Sequence, residues 1–62
     1  MTYEEMIEQL ITSGDIEEGE KINLVYYYDL PVPTDWIIHE VVGIAYNSDT
    51  DIVTIVVIAT ED

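Results

Sequence analysis

Residues 36–60 read WIIHEVVGIAYNSDTDIVTIVVIAT. Two apolar stretches flank the polar run Asn47-Ser48-Asp49-Thr50. Asn and Asp tolerate left-handed backbone and bond local amides through their short side chains, so this run reads as a turn. The spacing predicts a strand from Trp36 to Tyr46 and another from Asp51 to Thr60, paired as an antiparallel hairpin. In the last strand Ile52, Thr54, Val56 and Ile58 oppose Val53, Ile55, Val57 and Ala59. Both faces are largely apolar, so both require cover. The preceding strand is similar, with Ile37, Val41 and Ala45 opposite Ile38, Val42 and Ile44.

Upstream, a period of two runs from Lys21 to Leu30. Ile22, Leu24, Tyr26, Tyr28 and Leu30 share one face, and Lys21, Asn23, Val25, Tyr27 and Asp29 share the other. Pro31 and Pro33 lack an N–H for pairing and stop this strand. At the start of the chain the period is helical. Thr2 and Glu5 form a capping-box pattern, Tyr3, Met6, Ile7, Leu10 and Ile11 recur on one side, and Gly14 follows as a stop. Glu4, Glu5 and Glu8 lie where the helix dipole favours anions. A helix over residues 3–12 is expected, then an acidic, turn-rich connector over 13–20.

The expected fold is therefore α+β: a single domain over 1–62, with an N-terminal helix packed on a three-stranded antiparallel sheet (α-β-β-β). One helix covers one face. A second copy, packed sheet on sheet or joined edge to edge, would cover the rest, which makes a homodimer the expectation. The other reading is an apolar face kept open for binding. Burial and ordering entropy nearly cancel in so short a chain, which also favours a second copy.

Composition narrows the function. One Lys, no Arg and fourteen Asp plus Glu give a net charge of −13. Direct nucleic-acid binding needs clustered cations, and anionic membranes need the same, so neither is an expected partner. Without Cys there is no disulfide framework, thiolate metal site or cysteine nucleophile. Ten Ile, seven Val, 48% hydrophobic residues and a mean hydropathy of +0.15 argue against charge-driven disorder. The acidic start of the chain does not resemble a signal peptide, and the longest apolar run, Ile55–Ala59, is too short to span a bilayer. A cytoplasmic, independently encoded protein is expected.

Catalytic constellations are sparse. His39, the one imidazole, lies within a strand beside no nucleophile motif, and Gly14, Gly19 and Gly43 are too scattered for a phosphate loop. No enzyme activity and no cofactor are expected. The alternating oxygens of Asn47 to Asp51 match the opening of a helix–loop–helix calcium site. The match fails at its sixth and twelfth positions, Ile52 and Ile58, so a polar hairpin turn is expected and no metal site.

The charge itself remains to be explained. Ordinary solubility of a small domain needs a net charge of about 2–8, and −13 exceeds it. Three explanations compete: mimicry of a nucleic-acid backbone by arrayed carboxylates, adaptation to a high-salt cytoplasm, and a homodimeric structural or regulatory module whose acidity serves solubility. Mimicry predicts a basic partner engaged by Glu17, Glu18, Glu20, Asp29, Asp35, Asp49 and Asp51, with Tyr27 or Trp36 as aromatic anchors. The connector is the densest segment, with four carboxylates between Asp15 and Glu20.

Size and composition resemble the acidic DNA-mimic inhibitors of bacteriophages. Locally, Ala45-Tyr46-Asn47-Ser48-Asp49-Thr50-Asp51 with its following apolar strand resembles a hairpin of the uracil-DNA glycosylase inhibitor family. Glu20-Lys21-Ile22 is similar to that family's Glu-Ser-Ile edge segment. Lys21 stands where the family has Ser, and family members are longer, with two helices and more strands. The class resemblance implies inhibition by occupying the basic groove of a nucleic-acid-binding host enzyme or defence complex in the host cytoplasm.

Overall fold

The computed structural model describes residues 1–27 and 29–62. The chain forms helix α1 (Tyr3–Ser13) and strands β1 (Lys21–Tyr26), β2 (Leu30–Pro31), β3 (Ile37–Asn47) and β4 (Ile52–Thr60). The fold is α+β with one N-terminal helix, and the hairpin of β3 and β4 forms as expected.

The sheet differs from the expected antiparallel meander. Among the described residues it has four strands in the order β2-β1-β4-β3, and β1 runs parallel to β4, with Lys21 beside Ile52 and Val25 beside Val56. The physical reason lies in β4. Apolar on both faces and free of charge, it gains most from the centre of the sheet, where both backbone edges are paired. β3, which carries His39 and Glu40, takes an outer position instead.

The first strand is also shorter than its alternation suggests. It ends at Tyr26 because Tyr27 adopts φ 53, a left-handed conformation uncommon for a bulky side chain. The chain turns there, and Leu30 and Pro31 pair back antiparallel with Tyr26 and Val25. Pro31 thus sits within a short edge strand, a sheet position that tolerates a missing N–H. Leu30, which the alternation places on one face with Leu24 and Tyr26, is exposed. Tyr28, assigned to that same face by the alternation, lies outside the described residues.

Two register shifts, between Ile38 and Glu40 and between Val41 and Gly43, interrupt the pairing of β3. Each bulge carries an extra residue and resets the alternation. Ile38, Val41, Ile44 and Tyr46 therefore pair with Ala59, Val57, Ile55 and Val53. The simple alternation had separated Val41 from Ile38.

The helix face of the sheet holds the core: Met6, Ile16, Leu24, Val32, Ile38, Val53, Ile55, Val57 and Ala59, with Tyr3, Ile7, Leu10, Ile11 and Trp36 packed around it. On the opposite face Val25 and Val56 are buried beside one another, while Val42 and Ile58 remain open.

Local chemistry sets the helix limits. The Thr2 hydroxyl accepts from the Glu5 N–H at 3.2 Å, and the Glu5 carboxylate accepts from the Thr2 N–H at 3.0 Å. Gly14, at φ 84, closes the helix by donating to Ile11 and Leu10. Thr2→Ala is expected to cost about 1 kcal/mol, a fall in Tm of about 4–8 °C in thermal melts followed by circular dichroism. The Thr2 bonds hold the Glu5 carboxyl below the usual carboxylate range, the backbone N–H first and the hydroxyl bond second. Its contribution is thus complete above the unfolded value of about 4.3 and is lost as pH falls through the folded one.

Candidate functional site

β4 begins at Ile52 beside Lys21, the start of β1, so the acidic connector and the β3–β4 turn meet at one end of the sheet. The connector is not a free loop. Asp15 and Ile16 both donate to the Leu10 carbonyl, and the Ile16 side chain is buried in the core. That single anchor fixes the acidic residues on either side. The Glu17 N–H donates to the Glu20 carboxylate at 3.0 Å, which tightens the turn, and Gly19 supplies the positive φ of 86° that the turn requires.

Facing the connector is the hairpin end. Asn47 Oδ1 accepts from the Asp49 N–H at 2.9 Å, the Asp51 N–H donates to the Asn47 carbonyl, and Asp51 adopts φ 58. The Tyr46 hydroxyl donates to Asp51 Oδ1. A hollow of about 400 Å³ lies between the two segments, lined by Asp15, Glu17, Glu20, Ile44, Tyr46 and Val53. The Tyr46 phenol is raised above its ordinary value by the hydrogen bond to Asp51 first, then by the charge of Asp51, with Glu20 and Glu17 adding to it. Glu17, Glu20 and Asp51 therefore act on one point.

A raised phenol pKa keeps the Tyr46–Asp51 contact intact below the unfolded value of about 10 and breaks it as pH rises through the folded one. Asp51→Asn is expected to bring the Tyr46 ionisation back towards the ordinary range. The check is an alkaline titration of tyrosinate absorbance, with Tyr46→Phe identifying the transition.

The expected contact residues separate into groups. Glu17, Glu20, Asp49 and Asp51 gather at the hairpin end, as does Lys21. Glu18 lines a different hollow with Tyr3, Glu4, Ile7, Glu8 and Ile11 along the helix. Tyr27, Asp29, Asp35 and Trp36 lie towards the opposite end, where β1 finishes and β3 begins. Tyr27 is 68% exposed, on the rim of an apolar hollow of about 280 Å³ formed with Val42, Val56 and Ile58. Trp36 is half-buried and packs against the core. The inter-end distance is roughly 26 Å along β4, from a rise of about 3.3 Å per residue.

Sequence reasoning missed Ile16, Ile44 and Tyr46 as parts of this end. A lone Ile in an otherwise acidic connector was the available signal for the first. The other two needed the bulged register. The oxygens of Asn47 and Asp51 are engaged within the turn, and among the described residues no group of three or more His, Asp or Glu is placed to hold a metal. His39 Nε2 lies 2.7 Å from Thr60 Oγ1 on the surface. Among the described residues no helix is long and apolar enough to cross a membrane. No protein-family model matches the chain, and neither the curated proteins nor the solved structures contain a significant match to it.

Proposed function

We propose that this protein is a phage-type acidic inhibitor that binds the basic nucleic-acid-binding surface of a host DNA-processing or defence protein by DNA mimicry. The observation that carries the reading is the gathering of Glu17 and Glu20 around the hollow that Tyr46 lines, with Asp51 bonded to the Tyr46 hydroxyl and the connector held by Ile16. A fixed array favours tight recognition because it does not lose chain entropy on binding, whereas a mobile acidic tail would. Thirteen of the fourteen carboxylates are exposed and Glu20 is half-buried, so the field of the chain projects outward. Such a field speeds encounter with a cationic groove and makes it sensitive to salt.

Glu17, Glu20, Asp49 and Asp51 form the principal contact in this reading, and Asp29, Asp35 and Tyr27 extend it along the molecule, whose longest dimension is 31 Å. No chemistry and no cofactor enter. The test is capture from bacterial lysate on immobilised protein. A nucleic-acid-binding protein should be recovered at low salt and released both by high salt and by added duplex DNA, which competes for the same groove. Retention of the captured protein in the presence of excess duplex would overturn mimicry.

A further inference from the structure

We infer that the open edge of β3, from Gly43 to Asn47, pairs antiparallel with the same edge of a second copy. β3 is the outer strand of the sheet, 11 residues long. A long outer strand exposes unpaired backbone groups that recruit other strands, and proteins protect such edges with bulges, charges, proline or a covering segment. The two halves of β3 are treated differently. In the first half the Ile38 N–H donates to the Met1 carbonyl, both bulges occur, and Glu40 supplies a charge. The second half has none of these devices. Val41 to Ser48 is an eight-residue run without a charged side chain in a chain of net charge −13. Yet Ala45, Tyr46 and Asn47 are exposed and Ile44 is 37% exposed. The central strand also lacks charge because it is buried. Burial within one chain does not explain the same absence here.

Self-complementarity of the segment about Ala45 points to a second copy as the occupant. A two-fold axis through Ala45 places Ala45 against its own copy, Gly43 against Asn47, and Ile44 against Tyr46. The residues in each pair share a sheet face, because Ile44 and Tyr46 pair with Ile55 and Val53 on the helix side. An aromatic ring beside a β-branched chain is a favourable cross-strand pair, and it occurs twice by symmetry. The paired segment Gly43 to Asn47 contains no carboxylate, so none face each other across the seam. The antiparallel arrangement also sends the two hairpin turns in opposite directions. Asn47 of one copy lies about 13 Å from Asn47 of the other, counting two strand residues on each side of the axis, and the turns that carry Asp49 lie beyond these points. Glu17 and Glu20 lie on the helix side beside Tyr46 in each copy, so residual repulsion opposes association and salt relieves it.

Light scattering during size exclusion tests the pairing. The expected mass is twice 7.1 kDa, with a dimer fraction that rises with added NaCl. Ala45→Glu sets two carboxylates against each other at the axis and should reduce the mass to that of one chain. Ala45→Lys alone should do the same, and an equimolar mixture of the two should restore the dimer. Because Ala45 is exposed, each variant should keep the wild-type circular dichroism spectrum. A wild-type monomer at high concentration, a dimer that survives Ala45→Glu, or a mixture that stays monomeric would each overturn the inference. Binding to a basic partner weakens with salt whereas this association strengthens, so the two proposals fail independently.

Discussion

Reversing Glu17 and Asp49 together, as Glu17→Lys with Asp49→Lys, is expected to weaken capture of the basic partner about 100-fold, or about 2.8 kcal/mol. Both side chains are exposed and neither carboxylate holds a hydrogen bond among the described residues, so the variant should fold. The loss should fall largely on the association rate, since these charges steer the encounter before close contact forms. The companion variant Glu4→Lys with Glu8→Lys provides the discrimination. Each reversal adds two positive units, so both double variants carry the same net charge. Their charges differ only in location, at the hairpin end or along the helix. A kinetic binding measurement on the captured partner should show the hairpin-end variant much the weaker. Equal losses would mean that overall charge alone governs binding and that the convergence around Tyr46 has no role.

The second large effect concerns the core. Ile55 is fully buried in β4 and lies on the helix side between Ile44 and Leu24. Ile55→Ala is expected to cost about 3–4 kcal/mol, combining lost transfer energy with a cavity that flanking strands cannot close. A 62-residue domain has about 3–9 kcal/mol in total. The substitution should therefore lower Tm by about 15–25 °C or leave the chain largely unfolded. Ile58→Ala, on the far face of the same strand and 41% exposed, should cost less than about 1 kcal/mol. Paired thermal melts measure the contrast. Similar shifts for the two would contradict a helix-side core centred on β4.

Mimicry and edge pairing bear on one another through geometry. Pairing at Ala45 would place the two hairpin ends on opposite sides of the seam in one continuous sheet, and would present two acidic ends in place of one. A partner with a long basic groove could meet both at once, and avidity of that kind multiplies affinity without new contact chemistry.

How much of this was legible before folding can be argued element by element. The helix was, because its limits are local: Thr2 and Glu5 close one end, Gly14 the other, and the apolar stripe needs no distant partner to be recognised. The hairpin was, because the Asn47–Thr50 turn and the strands on each side are adjacent in sequence. The concentration of carboxylates in the connector was equally plain. The parallel pairing of β1 with β4 was not, since a strand's alternation does not name its neighbour. The bulges at His39 and Val42 carry no mark in the residues, and they decide which side of β3 faces the helix.

Composition and short-range pattern were thus sufficient for an acidic α+β domain with an N-terminal helix, a hairpin and no cationic patch. These properties depend on side-chain type and on spacing within a few residues. Strand order, the bulged register, the core anchor Ile16, the convergence of two distant acidic segments on Tyr46 and the bare edge of β3 came from the folded chain. They arise from competition among strands for the most enclosed position, and that competition is settled by all the apolar surface together.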